Sequence, residues 1–163
     1  MPGIRTTTEN IWNRIFTDPL NFSRQLHRWR FLNKSIVFTN GCFDLIHPGH
    51  IHLLSAAADM GDVLLVGLNS DASVQRLKGA GRPRIPQDLR AMHLASLFFV
   101  DAVVLFEEDT PMKLIEQVRP DVLVKGSDYS PNTIVGADFV KSYGGRVEVV
   151  ELLPGFSSSL LLN

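Results

Sequence analysis

The sequence predicts an α/β fold: a doubly wound, five-stranded parallel sheet covered by helices on both faces, with a helical N-terminal extension. Short runs rich in β-branched residues alternate with longer stretches of helical spacing. Helix-end signals punctuate the longer stretches. A length of 163 residues at 45% hydrophobic content suits one compact domain with a sizeable core.

Residues 1–34 form the extension. There "ENIWNRIF" and "PLNFSRQLHRWRFL" space Ile11, Ile15, Phe22, Leu26 and Trp29 as amphipathic helices would, with a break at Asp18 and Pro19. The main domain is expected over 35–163, with strand runs at 36–38, 63–68, 102–106, 122–124 and 147–150. Between them, Pro48 stands where a helix begins and Gly61 where one has ended. Ser70-Asp71 and Asp109-Thr110-Pro111 are further starts, and Gly144-Gly145 is a stop. Strands joined through helices lie parallel, because the crossover returns the chain to the same end of the sheet. In such sheets ligands bind beyond the carboxyl ends of the strands, at the crevice where strand order reverses. The loops expected to carry chemistry are therefore 39–50, 69–71, 125–129 and 154–159.

Charge narrows the function classes. With 16 Lys+Arg against 17 Asp+Glu there is no global field to gather nucleic acid or an anionic membrane, so any bound anion must be held locally. Cys42 is the single cysteine, which excludes an internal disulfide and a multi-cysteine zinc site. The N-terminal "MPGIRTTTENIWNRIF" lacks the apolar core of a secretion signal, and no run approaches the roughly 18 apolar residues of a membrane span. A soluble, cytoplasmic protein acting on small molecules is expected, with neither nucleic acid nor membrane as partner.

The most informative stretch is "TNGCFDLIHPGH", residues 39–50. With Pro48 in the first helical turn, His47 and His50 lie three residues apart and project from one side of the helix start. Gly49 between them leaves the backbone N–H groups approachable, and the helix dipole there favours negative charge. Two imidazoles and free amides suit a phosphate chain, above all a phosphorus centre under attack whose equatorial oxygens gain charge. Cys42 as a nucleophile beside His47 is set aside, since phosphate attacking phosphate needs no thiolate and small buried cysteines are common. A metal cluster of Asp44, His47, His50 and His52 is set aside because helix neighbours two residues apart diverge. His27 and His93 fall in amphipathic stretches and read as structural.

Together with "VGLNSDASVQRLKG", "FEEDTP", "LVKGSDY" and "GFSSS", this stretch resembles the nucleotidyltransferase superfamily marked by His-x-Gly-His, which is cytidylyltransferase-like. From about residue 35 to the end the likeness is greatest to the heptose 1-phosphate adenylyltransferase branch, which makes ADP-heptose for lipopolysaccharide. The resemblance implies a Rossmann-like fold and transfer of AMP from ATP to D-glycero-β-D-manno-heptose 1-phosphate with release of pyrophosphate. It also implies Mg²⁺ on the triphosphate, with no protein metal ligand named, and a homo-oligomer. A sugar kinase domain is often fused in this family; none is expected in this chain, so a separate kinase is expected to supply the phosphosugar.

The resemblance assigns catalytic roles to His47, His50, Lys78 and Arg90. Lys78 would meet phosphates of the sugar substrate. Arg90 would reach the triphosphate, although the usual Glu before it is Leu89 here. Nucleotide-binding roles fall to Asn40, Gly41, Cys42, Phe43 and Gly49, to Lys125, Gly126 and Asp128 after the fourth strand, and to Ser157, Ser158 and Ser159 at a last helix start. Local readings remain beside these: Lys78 as a solvated helix-end lysine, Arg90 as a surface arginine, Asp128 as a helix cap. Two other functions stay open. One is a cytidylyltransferase acting on glycerol 3-phosphate or another phospho-alcohol, against which stand Leu152 and Leu153 where that branch carries an arginine. The other is a nucleotide-binding module without turnover.

Overall fold

Alternation along the first long strand divides its side chains between two layers, with Ile36 and Phe38 in one apolar cluster and Val37 in the other. The computed structural model, which describes residues 7–129 and 133–152, continues this division across the sheet. Its elements are α1 (Thr7–Trp12), β1 (Ile15–Phe16), α2 (Pro19–Phe31), β2 (Ile36–Gly41), α3 (Pro48–Ala58), β3 (Val63–Asn69) and α4 (Asp71–Lys78). They continue with α5 (Gln87–Ala95), β4 (Ala102–Phe106), α6 (Met112–Val118), β5 (Val122–Gly126), α7 (Ala137–Ser142) and β6 (Arg146–Val150). All strand pairs are parallel, in the order β1-β4-β3-β2-β5-β6. Side chains of α2, α6 and α7 pack on one face of the sheet, and those of α3 and α5 on the other. Among the described residues no helix is long and apolar enough to cross a membrane.

The five expected strands are present, and a sixth joins them from the N-terminal extension. Ile15 and Phe16, expected in a helix, pair instead with Val103 and Val104 at the sheet edge. Helix α1 ends at Trp12, and the carbonyl of Arg14 then accepts the N–H of Val103 at 2.8 Å. The extension is thus helix, strand and helix rather than helix alone. A two-residue strand has no periodicity of its own, and Ile11 and Ile15 sit four apart, which mimics a helical stripe.

Helix α2 starts as its sequence requires, with Pro19 in the first turn and Asp18 capping by accepting the N–H of Leu20 at 3.0 Å. Its Phe22 is 2% exposed and belongs to the same cluster as Phe38 and Leu123. Arg30 then ties its end to the sheet through Asp121 at 2.7 Å, whose carboxylate also accepts the N–H of Ile36.

The chain runs from β2 outward through β3 to β4, whereas β5 and β6 lie on the other side of β2. The order therefore reverses between β2 and β5. Those two strands pair only through Val37 with Val122 and Phe38 with Leu123, so their carboxyl ends at Gly41 and Gly126 separate into a crevice.

Candidate active site

The loop leaving β2 enters the crevice under strain. Phe43 has φ 45°, left-handed for a non-glycine residue, and a Cβ on Gly41 would stand 3.0 Å from the Phe43 ring. That turn places the Phe43 ring edge-on to His50 at 5.0 Å between centroids. His47 is the N-cap of α3 in extended geometry, yet its side chain makes no capping bond. Its ring is free to stack on that of His50, with centroids 3.7 Å apart and planes 25° from parallel. Gly49 between them is buried.

Both Nδ1 atoms are buried without a hydrogen-bond partner, as is Oγ1 of Thr39 at the end of β2. Buried polar atoms are rarely left in this state, and the two on the stacked rings suit a polar ligand. Burial holds the pKa of His47 below its usual value. Burial, with the neighbouring His47 and Lys78, pushes His50 down to about 4, against an opposing contribution from the Leu45 backbone. Two neutral imidazoles therefore wait at a helix start whose dipole favours an anion. His47 also lines a mostly apolar cavity of about 530 Å³ with Ile46, Pro48, Ile51 and His52.

Across the crevice stands Lys125 of β5, 5% exposed. Its ammonium donates to Oδ1 and to the backbone carbonyl of Asn40, and it lies 5.0 Å from the centroid of the Tyr129 ring. Burial lowers its pKa to about 8, opposed by the charges of Asp128 and Cys42. A Cβ on Gly126 would come within 2.7 Å of Asp128 Oδ1 and 2.8 Å of Leu152 Cδ2, so any side chain there would displace both. Cys42 is partly buried, and burial raises its thiol pKa despite nearby Lys78, Arg90 and Lys125, which disfavours a thiolate.

Lys78 is the last residue of α4 and is exposed, and its charge is felt at both Cys42 and His50. Arg90 is neither on the surface nor on the open side of the crevice: it is 0% exposed. Its Nε donates to Ile85 O at 2.9 Å, Nη1 to Cys42 O at 2.6 Å and Asn69 O at 2.9 Å, and Nη2 to Asp71 at 2.7 Å. These bonds take four of the five guanidinium N–H groups, so the local reading of Arg90 as a surface arginine does not hold, and its part in holding triphosphate stays an expectation. Ser157, Ser158 and Ser159 lie outside the described residues.

The structure thus brings together Asn40, Gly41, Cys42, Phe43, His47, Gly49, His50, Lys125, Gly126 and Asp128 around the β2–β5 crevice, with Lys78 at its side. Beside them the structure shows Thr39, whose buried Oγ1 has no partner, and a contact of Asp44 that was not expected. The Asp44 carboxylate is turned toward Arg82, at 3.0 Å, and the N–H groups of Arg84 and Ile85. Sequence spacing carried no signal for that contact, since the partners are some 38 to 41 residues apart.

The sequence profile of the cytidylyltransferase-like family matches residues 38–160. A bifunctional protein HldE of Acidiphilium cryptum is 61% identical over 132 residues, covering 81% of this chain and 27% of that protein. One from Syntrophotalea carbinolica is 56% identical over 129 residues, covering 79% and 26%. The chain therefore spans about a quarter of the length of these relatives. Among solved structures, a lipopolysaccharide core biosynthesis protein from Thermoplasma volcanium superposes with TM-score 0.59 at 27% identity, over 74% of this chain and 97% of that one. A pantoate–β-alanine ligase from Francisella tularensis gives TM-score 0.56 at 16% identity, over 91% and 75%, a likeness of fold alone. With the profile spanning most of its length and the paired histidines at the start of the helix after β2, the chain belongs to the cytidylyltransferase-like family.

Proposed function

We propose that the chain is a nucleotidyltransferase that moves AMP from ATP to a sugar 1-phosphate, D-glycero-β-D-manno-heptose 1-phosphate, giving ADP-heptose and pyrophosphate. Residues 35–163 carry this activity, in a homo-oligomeric cytoplasmic enzyme. The observation that carries the reading is the stacked histidine pair, with both Nδ1 atoms buried and unpartnered at the start of α3. High identity to HldE proteins and the motifs shared with heptose 1-phosphate adenylyltransferases support the choice of substrate.

In this reaction an oxygen of the sugar phosphate attacks the α-phosphorus, and the bond from that phosphorus to the bridging oxygen of pyrophosphate breaks. A phosphate monoester is mostly dianionic near neutral pH, its second pKa being about 6, so no protein base has to remove a proton. The chain's task is alignment and charge stabilisation. His47 and His50 hold the α-phosphoryl oxygens, and the arriving negative charge raises the pKa of both rings toward the stronger-donating imidazolium. Lys78 and Lys125 bring positive charge from two sides of the crevice. Asp128 holds the ribose, while Gly41, Gly49 and Gly126 let the nucleotide approach the backbone.

The described residues gather no group of three His, Cys, Asp or Glu side chains that could hold a metal ion. Asp44, the carboxylate nearest the histidines in sequence, is occupied by Arg82 and two backbone N–H groups. The donor set does not fit an all-protein Mg²⁺ site; the ion would be carried by phosphate oxygens and water, as Mg²⁺ commonly is.

Release of pyrophosphate from each of the four common NTPs, offered heptose 1-phosphate or glycerol 3-phosphate, tests the proposal. Turnover is expected with ATP and heptose 1-phosphate. Activity confined to CTP and glycerol 3-phosphate would reject it, and tight ATP binding without pyrophosphate release from any pair would leave a binding module.

A further inference from the structure

Asp44 has no part in the reaction as proposed, yet its side chain is only 1% exposed. A buried carboxylate needs full compensation. It has that: Oδ1 accepts the N–H groups of Arg84 at 2.8 Å and Ile85 at 3.0 Å, and Oδ2 accepts from Arg82 Nη1 at 3.0 Å. Burial alone would raise its pKa, but the donors from Ile85, Arg82 and Arg84 outweigh burial and hold it below the ordinary carboxylate range.

These contacts join two separate loops. Asp44 stands three positions before His47, whereas its partners lie in the rim 79–86 that follows Lys78 directly. The peptide chain at Ile85 is gripped from two directions, since its N–H goes to Asp44 and its carbonyl accepts from Arg90, which also holds Cys42 O. The start of the rim is built to bend. Gly79 and Gly81 have φ of 92° and 83°, and a Cβ on either would meet nothing within 4 Å. Two glycines in left-handed geometry with open space around them make a compliant path. The rim also walls a cavity of about 440 Å³, together with Asp71, Ala72 and Gln75 of α4.

We propose that Asp44 is a positioning residue that fixes the rim 79–86, and with it the end of α4 bearing Lys78, against the histidine loop without touching substrate. The Lys78 charge already acts on His50 and Cys42. A displacement on the order of 1 Å at such a group costs about 100-fold in rate.

The test compares wild type with Asp44→Ala, Asp44→Asn and Arg82→Ala, by amide hydrogen exchange and by steady-state kinetics. The kinetic arm rests on the proposed transfer reaction; the exchange arm does not. Asp44→Ala removes all three bonds, so exchange at the Arg84 and Ile85 amides is expected to quicken about tenfold or more relative to the core amide of Val66. Its kcat is expected to fall about tenfold or more, with KM for ATP changed less than about threefold. Asp44→Asn keeps an oxygen acceptor but loses charge assistance and should fall between Asp44→Ala and wild type in both readouts. Arg82→Ala loses only the partly exposed ion pair and should stay within about threefold of wild type.

Unchanged exchange at Arg84 and Ile85 in Asp44→Ala overturns the proposal, as does faster exchange with kcat unaltered. Loss of kcat in Asp44→Asn as deep as in Asp44→Ala would instead make Asp44 a substrate contact. If Asp44→Ala does not fold, exchange in Asp44→Asn decides alone: faster at the two rim amides than at Val66 upholds the clamp, and equal rates reject it. Absence of pyrophosphate release from wild type would sink the transfer reaction and leave the exchange result to judge the clamp.

Discussion

His47 and His50 stack without a partner for either Nδ1, an arrangement that costs stability until an anion supplies the missing contacts. Replacing either by alanine is expected to lower turnover by at least about 100-fold, the scale for loss of a transition-state donor. ATP affinity, read by calorimetry, should change much less; equal losses in affinity and rate would mean that the rings merely hold the substrate. Lys125 makes a second prediction at this scale. Its ammonium is buried against Asn40, faced by Asp128, Cys42 and Tyr129, and titrates at about 8. Anion binding that uses this charge is present below that value and lost as pH rises through it. A profile of kcat/KM against pH should show an alkaline limb near 8 that Lys125→Met abolishes, leaving lower and flatter activity. An identical limb in the variant would remove Lys125 from the site.

Among the elements, α2 and β1 decide whether the N-terminal extension is an appendage or part of the core. Phe22 and Leu26 of α2 pack with Ile36, Phe38 and Leu123, and Phe22 touches Phe16 of β1 at 5.7 Å between ring centroids. Arg30 fastens the helix to Asp121 and to carbonyls of Val118 and Arg119. Phe22→Ala is therefore expected to cost about 3–5 kcal/mol in chemical denaturation, the range for a fully buried phenylalanine. A loss below about 1 kcal/mol would mean that α2 is peripheral. Helix α3 shows the opposite economy. Its start has a proline and a glycine but no side-chain cap, and the N–H groups of His50 and Ile51 turn back to the His47 carbonyl at 2.9 and 3.2 Å, so the ligand-facing groups of this helix start are the imidazoles.

For the whole molecule, the depressed pKa values set how stability follows pH. His50 titrates near 4 when folded and has an ordinary value of 6.5. Between those values the unfolded chain binds more protons, so stability rises with pH, and it is lost as pH falls from 6.5 toward 4. Lys125, at about 8 against 10.5, gives the same sign in its own window: stability rises from about 8 toward 10.5 while anion binding weakens. Denaturation midpoints across the acid range should show the first slope in wild type and a shallower one in His50→Gln. An equal slope in both would place the acid sensitivity elsewhere.

Much of this protein was legible from residue order alone. Short runs rich in β-branched residues marked the five long strands, the Pro48 and Gly61 signals bounded α3, and "HPGH" after the first of those strands located the crevice. These features are local, and a few neighbouring residues dictate them. Three others needed the folded chain. The strand at Ile15 and Phe16 exists because β4 offers an edge to pair with, and its two residues are too few to show a period. Arg90 lies in a helix whose spacing gives no hint that its guanidinium reaches Cys42 O, 48 residues back, or Asn69 O, 21 residues back. Asp44 reads as a loop residue until the rim, some 40 residues later, folds over it. Short-range periodicity settles which face of an element is apolar, whereas the partner of a buried charge depends on which distant loops the sheet order brings to the same end.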